Sequence, residues 1–198
     1  MSRDVVLVDG GGTNIGSVRY ALQRLGLDGE LTTSAARIRR ATHVILPGVG
    51  AAGPGMAKLH GAGLVDVLRR LSQPLLGVCL GMQLLFERSD EAATECLGLL
   101  PGTVRKFPQS RAWRVPHMGW NRLRIARNDP LVAGIDGAAY AYFVHSYAAP
   151  IGAATIADSD HGGAFSAVVR NGNVCGMQFH PERSAAVGAR LLKNFLEL

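Results

Sequence analysis

Pro74-Leu75-Leu76-Gly77-Val78-Cys79-Leu80-Gly81-Met82-Gln83-Leu84-Leu85-Phe86 runs from an apolar segment, through a cysteine set between glycines, into a pattern with helical spacing. An apolar run closed by a tight turn and followed by a helix is the repeating unit of an α/β fold with a parallel sheet. Cys79 occupies the turn. A side chain there needs small neighbours, because its backbone is strained and the flanking residues pass close to other strands. Gly77 and Gly81 supply them. The turn points the sulfur away from the sheet, and the N–H groups that open the helix face the same space. There they and the helix dipole favour a thiolate and, later, an oxyanion. A cysteine in an apolar setting is also ordinary inert core, so the turn alone leaves both readings open.

Outward from this unit, strand and helix patterns alternate. Residues 5–8 read as a short buried strand; residues 14–25 have helical spacing at Ile15, Val18, Leu22 and Leu25, with Asn14 as N-cap and Gly26 as stop. A strand over 43–46 ends at Pro47-Gly48, a helix over 55–71 starts behind Pro54, the strand over 75–78 delivers Cys79, and a helix is expected over 82–88. From Gly98 the texture changes to short β runs over 121–125, 140–145, 154–157, 165–170 and 174–179, with Asn171-Gly172 as a two-residue hairpin between the last two. An amphipathic helix follows over 185–196. With no linker, repeat or low-complexity segment, the expectation is one α/β domain over 1–198. Its central sheet is mixed, mostly parallel and flanked by helices, and its second half is rich in antiparallel β structure.

The 198 residues, 47% of them hydrophobic, suit a single core, and no stretch is long enough to cross a bilayer. Met1-Ser2-Arg3-Asp4 runs at once into a strand, without the n-region or cleavage site of a signal peptide, and three scattered cysteines argue against a disulfide framework. Together these predict a cytoplasmic protein. No Cys-x-x-Cys or His-x-x-x-His spacing suggests a metal, and the His-x-Glu of a zinc deaminase, present at His180 to Glu182, lacks its Pro-Cys-x-x-Cys. A net charge of +6 invites a nucleic-acid reading, but the basic residues are dispersed. The densest group, Arg37, Arg39 and Arg40, has no interleaved aromatics and reads as a solvated face with attraction for an acidic partner or phosphorylated ligand. Gly10-Gly11-Gly12-Thr13-Asn14 follows a strand, yet it misses both the Gly-x-Gly-x-x-Gly spacing and the acidic residue of a dinucleotide site.

The partner that Cys79 needs lies in Gln178-Phe179-His180-Pro181-Glu182. His180 falls at the end of a strand, where an α/β sheet gathers its active groups. Pro181 biases it towards an extended backbone, so His180 and Glu182 project to one side. A cysteine nucleophile requires an imidazole to take the thiol proton and a carboxylate to fix the tautomer, and a histidine far downstream is the expected layout. Taken singly, His-Pro-Glu reads as a surface loop with a half-buried histidine. Taken with Cys79, it reads as a Cys79–His180–Glu182 triad.

Gly77-Val78-Cys79-Leu80-Gly81-Met82-Gln83, together with Gln178-Phe179-His180-Pro181-Glu182, resembles the class I (triad) glutamine amidotransferases. Within that family, Leu46-Pro47-Gly48-Val49-Gly50, Pro116-His117-Met118-Gly119-Trp120-Asn121, Tyr142-Phe143-Val144-His145-Ser146-Tyr147 and Leu191-Leu192-Lys193-Asn194-Phe195-Leu196 are similar to the glutaminase subunits of imidazole glycerol phosphate synthases. The resemblance implies that Cys79 attacks the carboxamide of L-glutamine, with His180 as base and Glu182 orienting it. The ammonia would pass to a separate cyclase subunit, a (β/α)8 barrel, which makes imidazole glycerol phosphate and the purine precursor AICAR in histidine biosynthesis. The pair is thus a heterodimer that needs no cofactor, metal, nucleic acid or membrane.

The resemblance also places two oxyanion donors, the N–H groups of Val49 and Leu80, the first reached after a peptide in its glycine-flanked segment rotates. Glutaminases of this family are nearly idle until the partner binds its own substrate; a movable donor gives that coupling a means, since losing one costs roughly 3 kcal/mol. Read as residues alone, 47–50 is equally a tight turn leaving a strand. The glutamine-holding positions of the family fall on Gly50, Gln83, His145, Ser146 and Tyr147, and the partner-facing ones on Asn14, Trp120, Asn121, Tyr142 and Arg183. As residues, Gln83 is equally an ordinary first-turn helix residue, Tyr147 a packed strand end, and Trp120 a buried tryptophan of the β half. The chain departs from the family pattern at Gly10 (often Tyr), Thr13 (often Gly), Arg183 (often Lys) and Ala185 (often Gly), the last a mild change at a helix start. Sister triad glutaminases of anthranilate, pyridoxal phosphate or guanine nucleotide synthesis share the cysteine turn and the His-x-Glu pair; the segment 116–121 argues against them. A catalytically idle regulatory subunit has no chemical need of all three triad residues, and a cysteine peptidase on a similar fold is a further alternative.

Overall fold

Val5, Val6, Leu7 and Val8 are all buried, Val5 and Leu7 in one core and Val6 and Val8 in another. Successive strand residues point to opposite faces, so a strand covered on both sides must be apolar throughout. That is why the parallel strands are legible as continuous hydrophobic runs. The computed structural model describes residues 3–10 and 15–198. The expected helix cap and partner contact at Asn14, and the departure at Thr13, lie outside the described residues.

Strands β1 (Val5–Val8), β2 (Gly29–Thr32), β3 (His43–Gly48) and β4 (Leu75–Cys79) are separated by helices α1 (Ile15–Arg24), α2 (Ala35–Arg40), and α3 (Ala52–Gly61) with α4 (Val65–Arg69). Helix α5 (Leu80–Gln83) follows β4 directly. Then come β5 (Phe86–Ser89), β6 (Thr94–Glu95), β7 (Leu100–Lys106), β8 (His117–Arg122), β9 (Arg124–Ile125), β10 (Tyr140–His145), β11 (Tyr147–Ala148), β12 (Thr155–Asp160), β13 (Ala164–Asn171), β14 (Val174–Met177) and α6 (Ala185–Leu196). The principal sheet has the order β2-β1-β3-β4-β14-β13-β12-β9. It is parallel from β2 to β14 and antiparallel beyond. Strands β11-β7-β5-β6 form a smaller sheet, and β8 pairs with β10 as an antiparallel ribbon. Val18 and Leu22 of α1 and Leu191, Leu192 and Phe195 of α6 cover one face of the principal sheet. Ile38 of α2, Leu59 of α3 and Leu68 of α4 cover the other.

Several expectations are corrected. The helix expected over 55–71 is two helices that begin at Ala52 and part at Gly61-Ala62-Gly63, where Gly63 takes φ +65°. The helix expected over 82–88 stops at Gln83, and Phe86–Ser89 is a strand. The carbonyls of Leu84, Leu85 and Phe86 accept from the N–H groups of residues 97–100 instead of from a continuing helix. Strand β2 and helix α2 carry too little apolar periodicity to be read in advance; β2 is an edge strand with only Gly29 fully buried. Arg37 is no solvated charge, since its guanidinium pairs with Asp4 and with Glu30 and ties α2 to β1 and β2. In the hairpin, Asn171 pairs with Val174, so the loop residues are Gly172 and Asn173, with Gly172 at φ +58°. Among the described residues no helix is long and apolar enough to cross a membrane.

Candidate active site

Cys79 is at once the last residue of β4 and the cap of α5, with φ 55° and ψ −113°. An L-residue held there stores strain of about 1–3 kcal/mol, and the surroundings must over-determine it. They do so by close backbone approach. A Cβ on Gly81 would collide with the Leu46 carbonyl of β3, and one on Gly77 would lie 2.6 Å from the Gly81 carbonyl oxygen. Parallel pairing sets Gly48 opposite Cys79, so Val49 and Gly50 leave β3 at the level of the sulfur, Gly50 with φ +98°.

The imidazole arrives from the neighbouring strand. β14 pairs with β4 through Met177 and Val78, and the chain leaving it carries His180 to the same end of the sheet. The His180 N–H donates to the Tyr142 carbonyl at 3.0 Å. Buried Ser184 donates its hydroxyl to the His180 carbonyl (2.7 Å) and accepts from the Tyr142 N–H (2.9 Å), clamping His180 to β10. Pro181-Glu182-Arg183 forms a 3-10 turn that folds Glu182 back, its Oε1 3.0 Å from His180 Nδ1. Both side chains are buried, 8% and 2% exposed. Burial works against an imidazolium, but hydrogen bonding to Cys79 and Glu182 and the charges of both outweigh it and push the His180 pKa up to about 10. Sulfur, imidazole and carboxylate therefore form one buried, electrostatically linked set.

A cavity of about 320 Å³ opens over the sulfur, within the size range of small-molecule sites. Every residue expected at the pocket lines it: Val49, Gly50, Cys79, Leu80, Gln83, His145, Ser146, Tyr147 and His180; Glu182 stands behind His180. Gln83 is buried, donating to the Tyr147 carbonyl (2.8 Å) and to Gln178 Oε1 (3.0 Å). Glu91, Pro116 and Val144 also line the cavity and were not singled out from sequence. Nor was Gln178, fully buried, whose Nε2 lies 3.9 Å from Cys79 Sγ. A signal for it existed: an amide within the apolar run from Val174 to Phe179 must find a buried partner. Glu91 is held at the rim by the Ala52 N–H, 2.7 Å from its carboxylate, and no sequence pattern marks it.

Of the expected partner-facing residues, Trp120, Asn121 and Tyr142 lie on the β8–β10 ribbon and Arg183 in the 3-10 turn after β14. Burial alternates along both strands, leaving Met118 and Trp120 of β8 and Tyr140 of β10 exposed on one side, Trp120 at 54%. Trp120 meets Tyr142 edge-on (centroids 6.0 Å apart), and the Arg183 guanidinium lies 4.4 Å over the Tyr142 ring. Asn121 points its amide inward, to the Asp160 carbonyl (2.7 Å) and His117 Nε2 (3.2 Å). Ala185, expected to be a mild departure, has φ +48°, a left-handed conformation that suits glycine, so alanine there is strained. Among the described residues no group of three His, Cys, Asp or Glu side chains is placed to hold a metal ion.

The family model for class-I glutamine amidotransferases matches residues 6–198. The chain belongs to the class-I glutamine amidotransferases. Among curated relatives it is similar to the imidazole glycerol phosphate synthase subunit HisH of Xanthomonas axonopodis pv. citri, 60% identical over 195 residues and covering 98% of each chain. The corresponding subunit of Xylella fastidiosa strain Temecula1 is 57% identical with the same coverage. The fold of this amidotransferase is shared by a crystal structure described as a glutamine amidotransferase, with TM-score 0.75 at 23% identity over 98% of this chain and 97% of that one. PurLQS of Thermotoga maritima matches with TM-score 0.74 at 20% identity, covering 100% and 99% of the two chains.

Proposed function

We propose that this amidotransferase is the glutaminase subunit of an imidazole glycerol phosphate synthase and acts as one domain that releases ammonia from L-glutamine for a cyclase subunit. The observation that carries the reading is the strained Cys79 turn facing the buried His180–Glu182 pair across a single cavity, in a chain 60% identical to subunits of that synthase. Cys79 gives its proton to His180, and the thiolate attacks the carboxamide carbon. The oxyanion is held by the Leu80 N–H and, after a rotation that the left-handed Gly50 makes sterically easy, by the Val49 N–H. His180 returns the proton to the departing nitrogen, the C–N bond breaks, and a thioester remains. Water, losing its proton to His180, then releases glutamate and restores the thiol.

Gly50, Gln83, His145, Ser146 and Tyr147 hold the glutamine, and Glu91 on the cavity wall complements its ammonium group. Ammonia must leave without meeting bulk water, where protonation would end its nucleophilicity. The cavity wall supplies a direction: Val144 lies beside Met118 on the outward side of the β8–β10 ribbon, the side that also carries Trp120 and Tyr142. We assign that side, with Arg183, to the cyclase barrel; exposed aromatics next to an arginine are favoured anchors of interfaces. The test is glutamate release by the chain alone, and with its cognate cyclase subunit and the ribulosyl aminoimidazole carboxamide substrate, beside a Cys79→Ala control. A ligand-dependent rise that disappears in the control is the expected result; no rise with that cyclase overturns the assignment.

A further inference from the structure

Beneath the proposed glutamine pocket a run of polar groups crosses the β8–β10 ribbon to β12, and its protons can be assigned. His145, on the cavity wall, has Nδ1 2.7 Å from the Tyr147 carbonyl. A carbonyl only accepts, so Nδ1 carries the hydrogen. Burial holds this imidazole neutral, its pKa lowered to about 3, so Nε2 is a bare acceptor. Its neighbour at 3.1 Å is His117 Nδ1, which must therefore be the donor. His117 is neutral for the same reason, with the nearby His161 adding to burial and lowering its pKa to about 4. Its own Nε2 then accepts from Asn121 Nδ2 at 3.2 Å.

The far end gives the same answer independently. The Asn121 amide is oriented by the Asp160 carbonyl, which accepts from Nδ2 at 2.7 Å, and by the Arg122 N–H, which donates to Oδ1 at 2.8 Å. Both ends thus demand the same proton on every atom between them. The inner end reaches the sulfur: the Tyr147 carbonyl also accepts from Gln83, Gln83 donates to Gln178, and the Gln178 amide lies on Cys79 Sγ. His117 is packed for this one geometry, stacked on His161 (4.2 Å) and on Phe143 (5.0 Å).

We propose that His117 is a positioning residue of the glutamine pocket: its Nδ1–H fixes His145 in one tautomer, and through it the Tyr147 carbonyl and Gln83, while Asn121 ties that arrangement to Asp160 of β12. This rests on the glutaminase reading, so wild-type activity with the cyclase subunit and its ribulosyl substrate is established first; failure there removes that reading and says nothing of His117. Two variants then separate roles. His117→Phe keeps the stacking and loses both hydrogen bonds. His117→Asn places an amide N–H where Nδ1–H stood. In the complex, His117→Phe raises KM for glutamine about tenfold or more, with kcat changed less, as expected when a buried acceptor loses its donor. His117→Asn restores most of it. Equal KM values for the two variants, or a wild-type KM in His117→Phe, overturn the proposal. Should His117→Phe fail to fold, 15N NMR of the wild-type chain decides: both imidazoles are expected as the Nδ1–H form, and an Nε2–H form of either refutes the assignment.

Discussion

Gly81→Ala tests whether close backbone approach, and not side-chain packing, holds the nucleophile turn. The added Cβ would run into the Leu46 carbonyl of β3, a backbone atom that cannot rotate aside as a flexible side chain would. Neighbouring glycines offer no slack, since Gly48 already sits against the Gly81 nitrogen and Gly77 against its carbonyl. Helix α5 must therefore move off β3, carrying Leu80 and Cys79 with it. Overpacking of this kind costs about 1–3 kcal/mol, and an obstacle made of backbone puts this site at the upper end. For a chain of this size that is a fall in Tm of roughly 5–10 °C. A functional loss of similar size accompanies it, because displacing a reacting group by about 1 Å costs roughly 10²-fold in rate, about 2.7 kcal/mol. Glutamate release in the cyclase complex is the assay, with thermal melting alongside. Gly61→Ala is the control: nothing lies within 4 Å of its Cβ, and it is expected to be neutral or more stable by about 0.4–1 kcal/mol. A Gly81→Ala protein with wild-type Tm and activity would refute the account of the turn.

Strain at Cys79 predicts that Cys79→Gly melts higher than Cys79→Ala, by about 1 kcal/mol or more, because only glycine is relaxed at φ 55° and ψ −113°; denaturant titration of the two decides it. The same logic without a catalytic purpose applies at Ala185, where φ is +48°: Ala185→Gly gains about 1 kcal/mol and leaves glutaminase activity intact, as read by melting and by turnover. Folding raises the His180 pKa from 6.5 to about 10, so stability drawn from its protonated form is complete below about pH 6.5 and is lost as the pH climbs through about 10. In Glu182→Gln, with a charge that raises the folded pKa removed, that loss is smaller and is complete at lower pH, which Tm measured across the window will show. Trp120→Ala, removing an exposed aromatic set against Tyr142, weakens cyclase binding by about 2 kcal/mol in titration calorimetry while Tm stays within a degree or so.

What was legible in the sequence follows from how each signal is made. The turn at Cys79 could be read because its cause is local: an apolar strand, a glycine on each side and a helical pattern stand within one short stretch. Strand β1, strand β10 and helix α6 begin and end where their hydrophobic periods do, since two-sided burial and a single covered face write themselves into the period. Residues 82–88 misled for the opposite reason. Leu84-Leu85-Phe86 is a run too short to distinguish a helix from a strand, and the deciding hydrogen bonds come from residues 97–100. Strand β2 and helix α2 are held by Arg37 reaching Asp4 and Glu30, pairings no local pattern announces.

The site divides along the same line. Cys79, His180 and Glu182 carry reactive groups whose chemistry names them; the side chains that hold them do not. Gln178, Ser184 and His117 are polar groups made specific only by what folding brings against them: a sulfur, a carbonyl and an N–H, and a second imidazole. Each is buried with its partners, and a buried polar group cannot exchange one partner for another without leaving something unpaired. The consequence is directional. A displacement of the β8–β10 ribbon moves Tyr142, whose backbone is bonded to His180 and Ser184, and also moves His117, whose ring is bonded to His145. The same ribbon therefore touches both the proposed base and the proposed glutamine pocket, so a partner seated on Trp120, as proposed, would act on the two together.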